Sequence, residues 1–287
     1  MKLNKLIAIA TISLLSGGIS MAQKALNLED IVAGNIIQTK GIGSMTWLKD
    51  GERYSRLENN KQTGGTDIVA YRAKDNSREV IIPSSLLTDK STGRPIPVRS
   101  VSWSADNEKV LIYNNTRRVW RYDTRGDYWV LNLKDGALRQ LGKGMPESSM
   151  MFAKFSPDGT RVAYVSNNNI YVEDIDSGKI TQLTKDGSDT IVNGTFDWVY
   201  EEEFSCRDGF RWSPDGKHIA YWQSDTKGTG VFDIINNVDS IYAKVIHFPY
   251  PKEGTTNSAV KVGYVSSTGG NTTWIAIPGD PRNNYLP

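Results

Sequence analysis

Three consecutive carboxylates, Glu201, Glu202 and Glu203, stand between Tyr200 and Phe204 in the stretch DWVYEEEF, residues 197–204. Like charges at that spacing repel, and two carboxylates held close do not ionise independently. The chemistry they offer is cation capture. An ammonium about 4 Å from a carboxylate gains on the order of 4 kcal/mol per pair at an effective dielectric near 20, before desolvation is subtracted. Asp197 is a good helix N-cap and glutamates suit a first turn, so the stretch predicts a single helical turn. Successive helical residues point about 100° apart, so two of the three carboxylates can converge on one cavity while the third points elsewhere. The competing reading is a solvated acidic turn, but the flanking Trp198, Tyr200 and Phe204 call for burial.

Little else in the chain offers a reaction. There is no G-x-S-x-G elbow, no Walker loop and no HExxH. Cys206 is the only cysteine, which excludes an intrachain disulfide and a cysteine-built metal site. His218 and His247 fall in strand-like surroundings, away from other plausible ligands or nucleophiles. GIGS at 41–44 reads as a turn. No cofactor and no metal is expected. Lys plus Arg is 34 against 32 for Asp plus Glu, so there is no basic excess to suggest nucleic acid as a partner.

The elements that must position the acidic turn come from an internal repeat. VSWSADNEKVLIY (101–113), AKFSPDGTRVAYV (153–165) and FRWSPDGKHIAYW (210–222) align, and MTWLKDGERYSRL (45–57) is a weaker copy. Each reads as an aromatic-containing strand, a tight turn and an alternating strand, anchored by Trp47, Trp103, Phe155 or Trp212. In SPDG, Pro157 and Pro214 preset φ for a turn, and Asp and Gly accept the dihedrals that follow. Val162 and Tyr164 are expected on one face, Ala163 and Val165 on the other. YWVLNLKDGALRQLG (128–142) and NIYVEDIDSGKITQLT (169–184) supply further strand pairs with DG and SG turns. Four short antiparallel strands per unit at this period predict an all-β chain, a β-propeller of four-stranded blades. Units begin near Gly41, Pro97, Met151 and Phe210, giving about four to five blades and an incomplete propeller. IHFPYPKEGTTNSAVKVGYVSS reads as the outer strands of the last unit or the start of another. DWVYEEEF interrupts the pattern as an insertion at a blade edge.

Residues 1–22 run from basic MKLNK through apolar LIAIATISLL to small residues before Gln23, the order of a secretory signal peptide. The expected organisation is a signal peptide at 1–22, a lead segment at 23–40 and a propeller domain at 41–287. Export to the periplasm, the cell surface or beyond is expected.

The sequence resembles the dipeptidyl peptidase IV family of the prolyl oligopeptidase superfamily. IVNGTFDWVYEEEFSCRDGFRWSPDGKHIAYWQSD is similar to the family's acidic motif and the strand after it. LIYNNTRRVWRYDTRGDYWVLNL resembles its Trp-Arg segment, and IHFPYPKEGTTNSAVKVGYV its YPKAG-like stretch. The resemblance runs from about Asn27 to Pro287. It implies an N-terminal propeller joined to an α/β-hydrolase domain with a Ser-Asp-His triad, releasing N-terminal dipeptides with Pro or Ala second. It implies that Glu202 and Glu203 bind the substrate's α-amine, that Glu201 is structural, and that Arg121, after Trp120, contacts a substrate carbonyl. The implied partners are a peptide with a free N-terminus, the hydrolase domain and a second copy in a homodimer. No catalytic residue is assigned within these 287 residues, and the stretch is expected to be inactive without the hydrolase domain. The competing reading is a non-enzymatic periplasmic propeller that binds proteins.

Overall fold

The computed structural model describes residues 27–32, 41 and 43–286. The expected signal peptide and most of the lead segment lie outside the described residues. Among the described residues of the unit Met1–Gly43 is a short helix, α1 (Leu28–Val32). No helix among the described residues is long and apolar enough to cross a membrane.

The second unit, Ser44–Pro287, holds the strands. The first blade is the meander β1 (Thr46–Trp47), β2 (Arg53–Asn59), β3 (Thr66–Arg72) and β4 (Arg78–Ile82). A small pair follows, β5 (Thr88–Asp89) with β6 (Arg94–Pro95). The second blade is β7 (Ser100–Trp103), β8 (Lys109–Val119), β9 (Tyr122–Asn132) and β10 (Leu138–Gln140). The third is β11 (Met151–Phe155), β12 (Arg161–Ser166), β13 (Asn169–Asp174) and β14 (Ile180–Gln182). All neighbours in these meanders are antiparallel, the pattern that short hairpin turns allow.

The fourth blade departs from the meander twice. Its innermost position is shared by β15 (Ile191–Asn193) and β16 (Phe210–Trp212), both antiparallel to β17 (His218–Asp225). Between β17 and the next blade strand, the chain forms a separate ribbon of β18 (Val231–Asn236) and β19 (Lys244–Pro249). Then β20 (Ala259–Ser266) pairs with β17, and β21 (Thr273–Trp274) completes the sheet. The described residues thus form four blades. IHFP belongs to the ribbon, and AVKVGYVS is the third strand of the fourth blade rather than the start of a fifth.

The repeated turns have one mechanism. The hydroxyls of Ser104, Ser156 and Ser213 each donate to the Asp two residues on, at 2.5–2.6 Å. Each also accepts the backbone N–H five residues on, at 2.9–3.0 Å. The turn needs a left-handed residue, supplied by Gly159 and Gly216 at φ of 67° and 68° and, in SADN, by Asn107 at 59°. Asn tolerates that region where most side chains do not.

Burial follows the expected alternation. Val162 and Tyr164 pack with Leu111, Tyr128 and Val130 between the second and third blades. Ala163 and Val165 point the other way, onto Phe210, Ile219 and Tyr221 of the fourth. Both faces of β12 are dry, so its code is one of volume rather than of polar and apolar positions. Two anchor indoles also bridge blades: Trp103 donates to the Ser55 hydroxyl at 3.1 Å and Trp212 to the Lys154 carbonyl at 3.2 Å. Trp47 differs, being 61% exposed on the first blade. Phe210 is wholly buried at the contact between the third and fourth blades. Phe210→Ala is expected to cost about 3–5 kcal/mol in equilibrium urea unfolding; a loss below about 1 kcal/mol would show that this contact does not hold the blades together.

Candidate functional site

The acidic motif is carried on an excursion from the interior of a strand. After β15 the chain leaves the fourth blade at Gly194 and returns at Gly209, where β16 resumes the pairing with β17. The neck is closed by Gly209 N–H to the Gly194 carbonyl at 3.0 Å, Gly194 N–H to the Trp222 carbonyl at 2.9 Å, and Trp222 N–H to the Gly209 carbonyl at 3.0 Å. A Cβ on Gly209 would lie 2.9 Å from the Gly194 carbonyl carbon and from Thr195 N. The two crossing backbones therefore demand glycine there.

Within the excursion, helix α2 (Trp198–Glu202) forms as the capping pattern predicts. Asp197 accepts the Tyr200 N–H at 3.1 Å, and its other oxygen accepts the Ser258 hydroxyl at 2.6 Å. Such a cap contributes about 1 kcal/mol. Tyr200 is buried, stacks on Phe196 at 5.1 Å, and its hydroxyl accepts the Leu286 N–H at 2.7 Å. The Cys206 N–H returns to the Tyr200 carbonyl at 2.8 Å. These bonds bury one helix side and leave the carboxylates on the others.

The second component is the tip of the β8–β9 hairpin, Trp120–Arg121. Trp120 has φ of 54°, a costly value for a bulky residue. Its indole meets Trp198 edge-on at 4.9 Å and Phe248 of the ribbon at 5.1 Å, and Trp198 meets Phe248 at 4.5 Å. This three-ring cluster brings Arg121 to the helix. Arg121 Nη1 lies 3.5 Å from Glu202 Oε2.

The three carboxylates occupy three environments. Glu201 faces inward, 3.4 Å from Arg207 Nε, and burial raises its carboxyl above the usual carboxylate range against the pull of Arg207. Glu202 is 11% exposed and faces Arg121, and its Oε1 is buried with no hydrogen-bond partner among the described residues. Glu203, at the C-cap, is exposed. The structure thus separates Glu201 from the other two and joins Arg121 to Glu202. A cavity of about 240 Å³ touches Asp197, Trp198 and Glu201 and reaches Arg125 and Arg207, but not Glu202 or Glu203. Arg207 was not marked by the sequence; it is visible only once Tyr122 and Glu201 are brought to it. Among the described residues no group of three or more His, Cys, Asp or Glu is placed to hold a metal ion.

The family described as the dipeptidyl peptidase IV N-terminal region matches residues 104–287, which include every residue of this site. Dipeptidyl aminopeptidase B of Saccharomyces cerevisiae is 30% identical over 271 residues, covering 89% of this chain and 31% of that protein. Prolyl endopeptidase FAP of Mus musculus is 28% identical over 248 residues, covering 86% of this chain and 30% of its own length. The crystal structure of Porphyromonas gingivalis dipeptidyl peptidase 4 superposes with a TM-score of 0.76 at 25% identity, covering 91% of this chain and 36% of that one. The chain therefore spans about a third of the length of the curated relatives it matches.

The excursion is also tied to the third blade at its return. Lys154 donates to Asp208 Oδ1 at 2.5 Å and to the Phe210 carbonyl at 3.1 Å, with its ammonium 3.4 Å from the Phe210 ring centre. Burial outweighs Asp208 and lowers the ammonium from 10.5 to about 8. Below pH 8 folded and unfolded chains both hold the proton, and folding bears the full cost of burying the charge. From about pH 8 to 10.5 the unfolded chain keeps a proton that the folded chain has released, so this group makes stability rise with pH across that window. Urea unfolding of the wild type and Lys154→Met at pH 7 and pH 10 checks this. The wild type is expected to gain relative to the variant at the higher pH, and a pH-independent difference would refute it.

Proposed function

The chain belongs to the dipeptidyl peptidase IV family through its N-terminal region, and from that premise we propose that it is the substrate-recognition propeller of an exported serine peptidase. That peptidase releases N-terminal dipeptides with Pro or Ala in the second position. Glu202 and Glu203 anchor the substrate's α-ammonium, Arg121 orients a carbonyl of its first residues, and the nucleophile comes from an α/β-hydrolase domain. Export rests on the order of residues 1–22.

The observation that carries this reading is Glu202 Oε1, a buried carboxylate oxygen with no donor among the described residues; Glu201 Oε1 beside it also lacks a hydrogen bond but has Arg207 Nε 3.4 Å away. An unmade bond of that kind costs about 1–3 kcal/mol, and more for a charged group. An ammonium has three N–H groups and the complementary charge, so it satisfies the oxygen and has donors left for the exposed Glu203. Arg121 opposite Glu202 does not remove the need, because its contact is long and the arginine is 75% exposed.

Anchoring the amine also sets the length of the product. Two residues of extended chain reach roughly 7 Å, so a fixed ammonium fixes which peptide bond meets the nucleophile. Prepaid positioning of this kind lowers the entropic part of the barrier. For the homodimer, we propose the β18–β19 ribbon as the contact. It carries Val238, Ile241 and Tyr242 near its tip, 87–98% exposed, an apolar surface that a second copy would cover.

In the full-length enzyme, Glu202→Gln or Glu203→Gln is expected to cut kcat/KM for a proline-containing dipeptidyl chromogenic substrate by about two orders of magnitude or more, as the loss of a charged contact of about 2–5 kcal/mol would. An N-acetylated form of the substrate should lose rate to a similar degree. Wild-type kinetics in both variants would refute the anchor. Sedimentation of Ile241→Asp should show a lower dimer fraction than wild type at equal concentration; an unchanged distribution would exclude the ribbon as the contact.

A further inference from the structure

We propose that Arg207 is a positioning residue of this site, tying the helix that carries Glu202 and Glu203 to the hairpin tip that carries Arg121. The inference rests on the amine-anchor reading above. The Arg207 guanidinium carbon lies 3.6 Å from the centre of the Tyr122 ring, and its Nε lies 3.4 Å from Glu201 Oε1. Tyr122 follows Arg121 in the chain, and Glu201 precedes Glu202. One side chain therefore grips the immediate neighbour of each half of the site.

The hairpin needs such a grip. Its ladder shifts register between Asn114 and Arg117 and again between Arg117 and Arg118, so strand pairing alone does not fix the direction of the tip. The Arg121–Glu202 contact is too exposed to do so, since pairs of that kind contribute about 0–1 kcal/mol. The tip is instead held on both sides of Arg121, by Trp120 against Trp198 and Phe248 and by Tyr122 against Arg207.

Arg207 is itself well founded. Its carbonyl accepts the Thr195 hydroxyl at 3.3 Å across the neck, and its neighbour Asp208 is bound by Lys154. Arginine suits the role because a planar guanidinium stacks on a ring while an edge nitrogen faces a carboxylate, which a lysine ammonium does not reproduce. The pairing has a second effect. It sets a cation beside Glu201, which opposes the upward push of burial and of the Glu202 charge on that carboxyl.

The test uses the full-length enzyme with Gly-Pro-p-nitroanilide. Arg207→Gln is expected to raise KM about tenfold while kcat changes less than about twofold, and Tyr122→Leu to raise it in the same direction. Arg207→Lys should recover only part of the loss. In a Glu202→Gln background, Arg207→Gln should raise KM by much less than tenfold, because residues that act through one another are not additive. A wild-type KM in Tyr122→Leu, or the same tenfold step in both backgrounds, would overturn the positioning role. The first of these stands even where Arg207→Gln fails to fold. Failure of the anchor reading looks different: Glu202→Gln and Glu203→Gln would themselves keep the wild-type KM, and an Arg207→Gln effect without theirs also overturns this inference.

Discussion

The site depends on one structural constraint, the pairing of β17 with two separate segments that share the innermost position of the fourth blade. A strand interrupted by a long excursion loses its ladder unless both halves stay in register. Here the gap is closed across Trp222 by three backbone bonds, with Gly194 and Gly209 in direct contact. Because β16 carries Phe210, which fills the contact with the third blade, the neck is tied into a dry interface. The excursion is therefore a loop in connectivity but is held at both ends by sheet, which suits a segment that must hold carboxylates at fixed positions.

On that base the site is assembled from three departures of the chain: the excursion with α2, the extended β8–β9 hairpin and the β18–β19 ribbon. None packs in a blade core, and they meet through side chains. The left-handed Trp120 costs about 1–3 kcal/mol. The ring contacts of Trp120, Trp198 and Phe248 are worth about 0.5–1.5 kcal/mol each beyond their burial, enough to offset it. The tip is thus stable only in the presence of the other two departures, and Arg121 takes its place for the same reason.

What was legible in the sequence was whatever is encoded locally. The Ser-x-Asp-Gly turns, the Asp197 cap and the two-faced burial of β12 depend on residues a few positions apart, and all took the expected form. The departures in the fourth blade were not. IVN at 191–193 is too short to announce a strand. The ribbon strands VFDIIN and KVIHFP have the composition of blade strands, so only their pairing with each other reveals a separate element. Arg207 was illegible for a stronger reason. Nothing in SCRDG distinguishes it from a solvated arginine until the fold brings Tyr122 and Glu201 to its two sides.

The distribution of the three glutamates follows from the shortness of the helix. Five residues make little more than one turn, so consecutive side chains point about 100° apart and cannot share one environment. The face built from Asp197, Trp198 and Glu201 must turn inward, because Asp197 caps the helix and Trp198 joins the ring cluster. Glu201 is then largely enclosed, and Arg207 brings a cation to within 3.4 Å of it. The next position, Glu202, is enclosed to a similar degree, with one oxygen toward Arg121 and one without a donor. Glu203 is left at the exposed end. An acidic triplet that would repel itself in a flat array is thereby divided by helical geometry into one carboxylate beside Arg207, one beside Arg121 and one exposed.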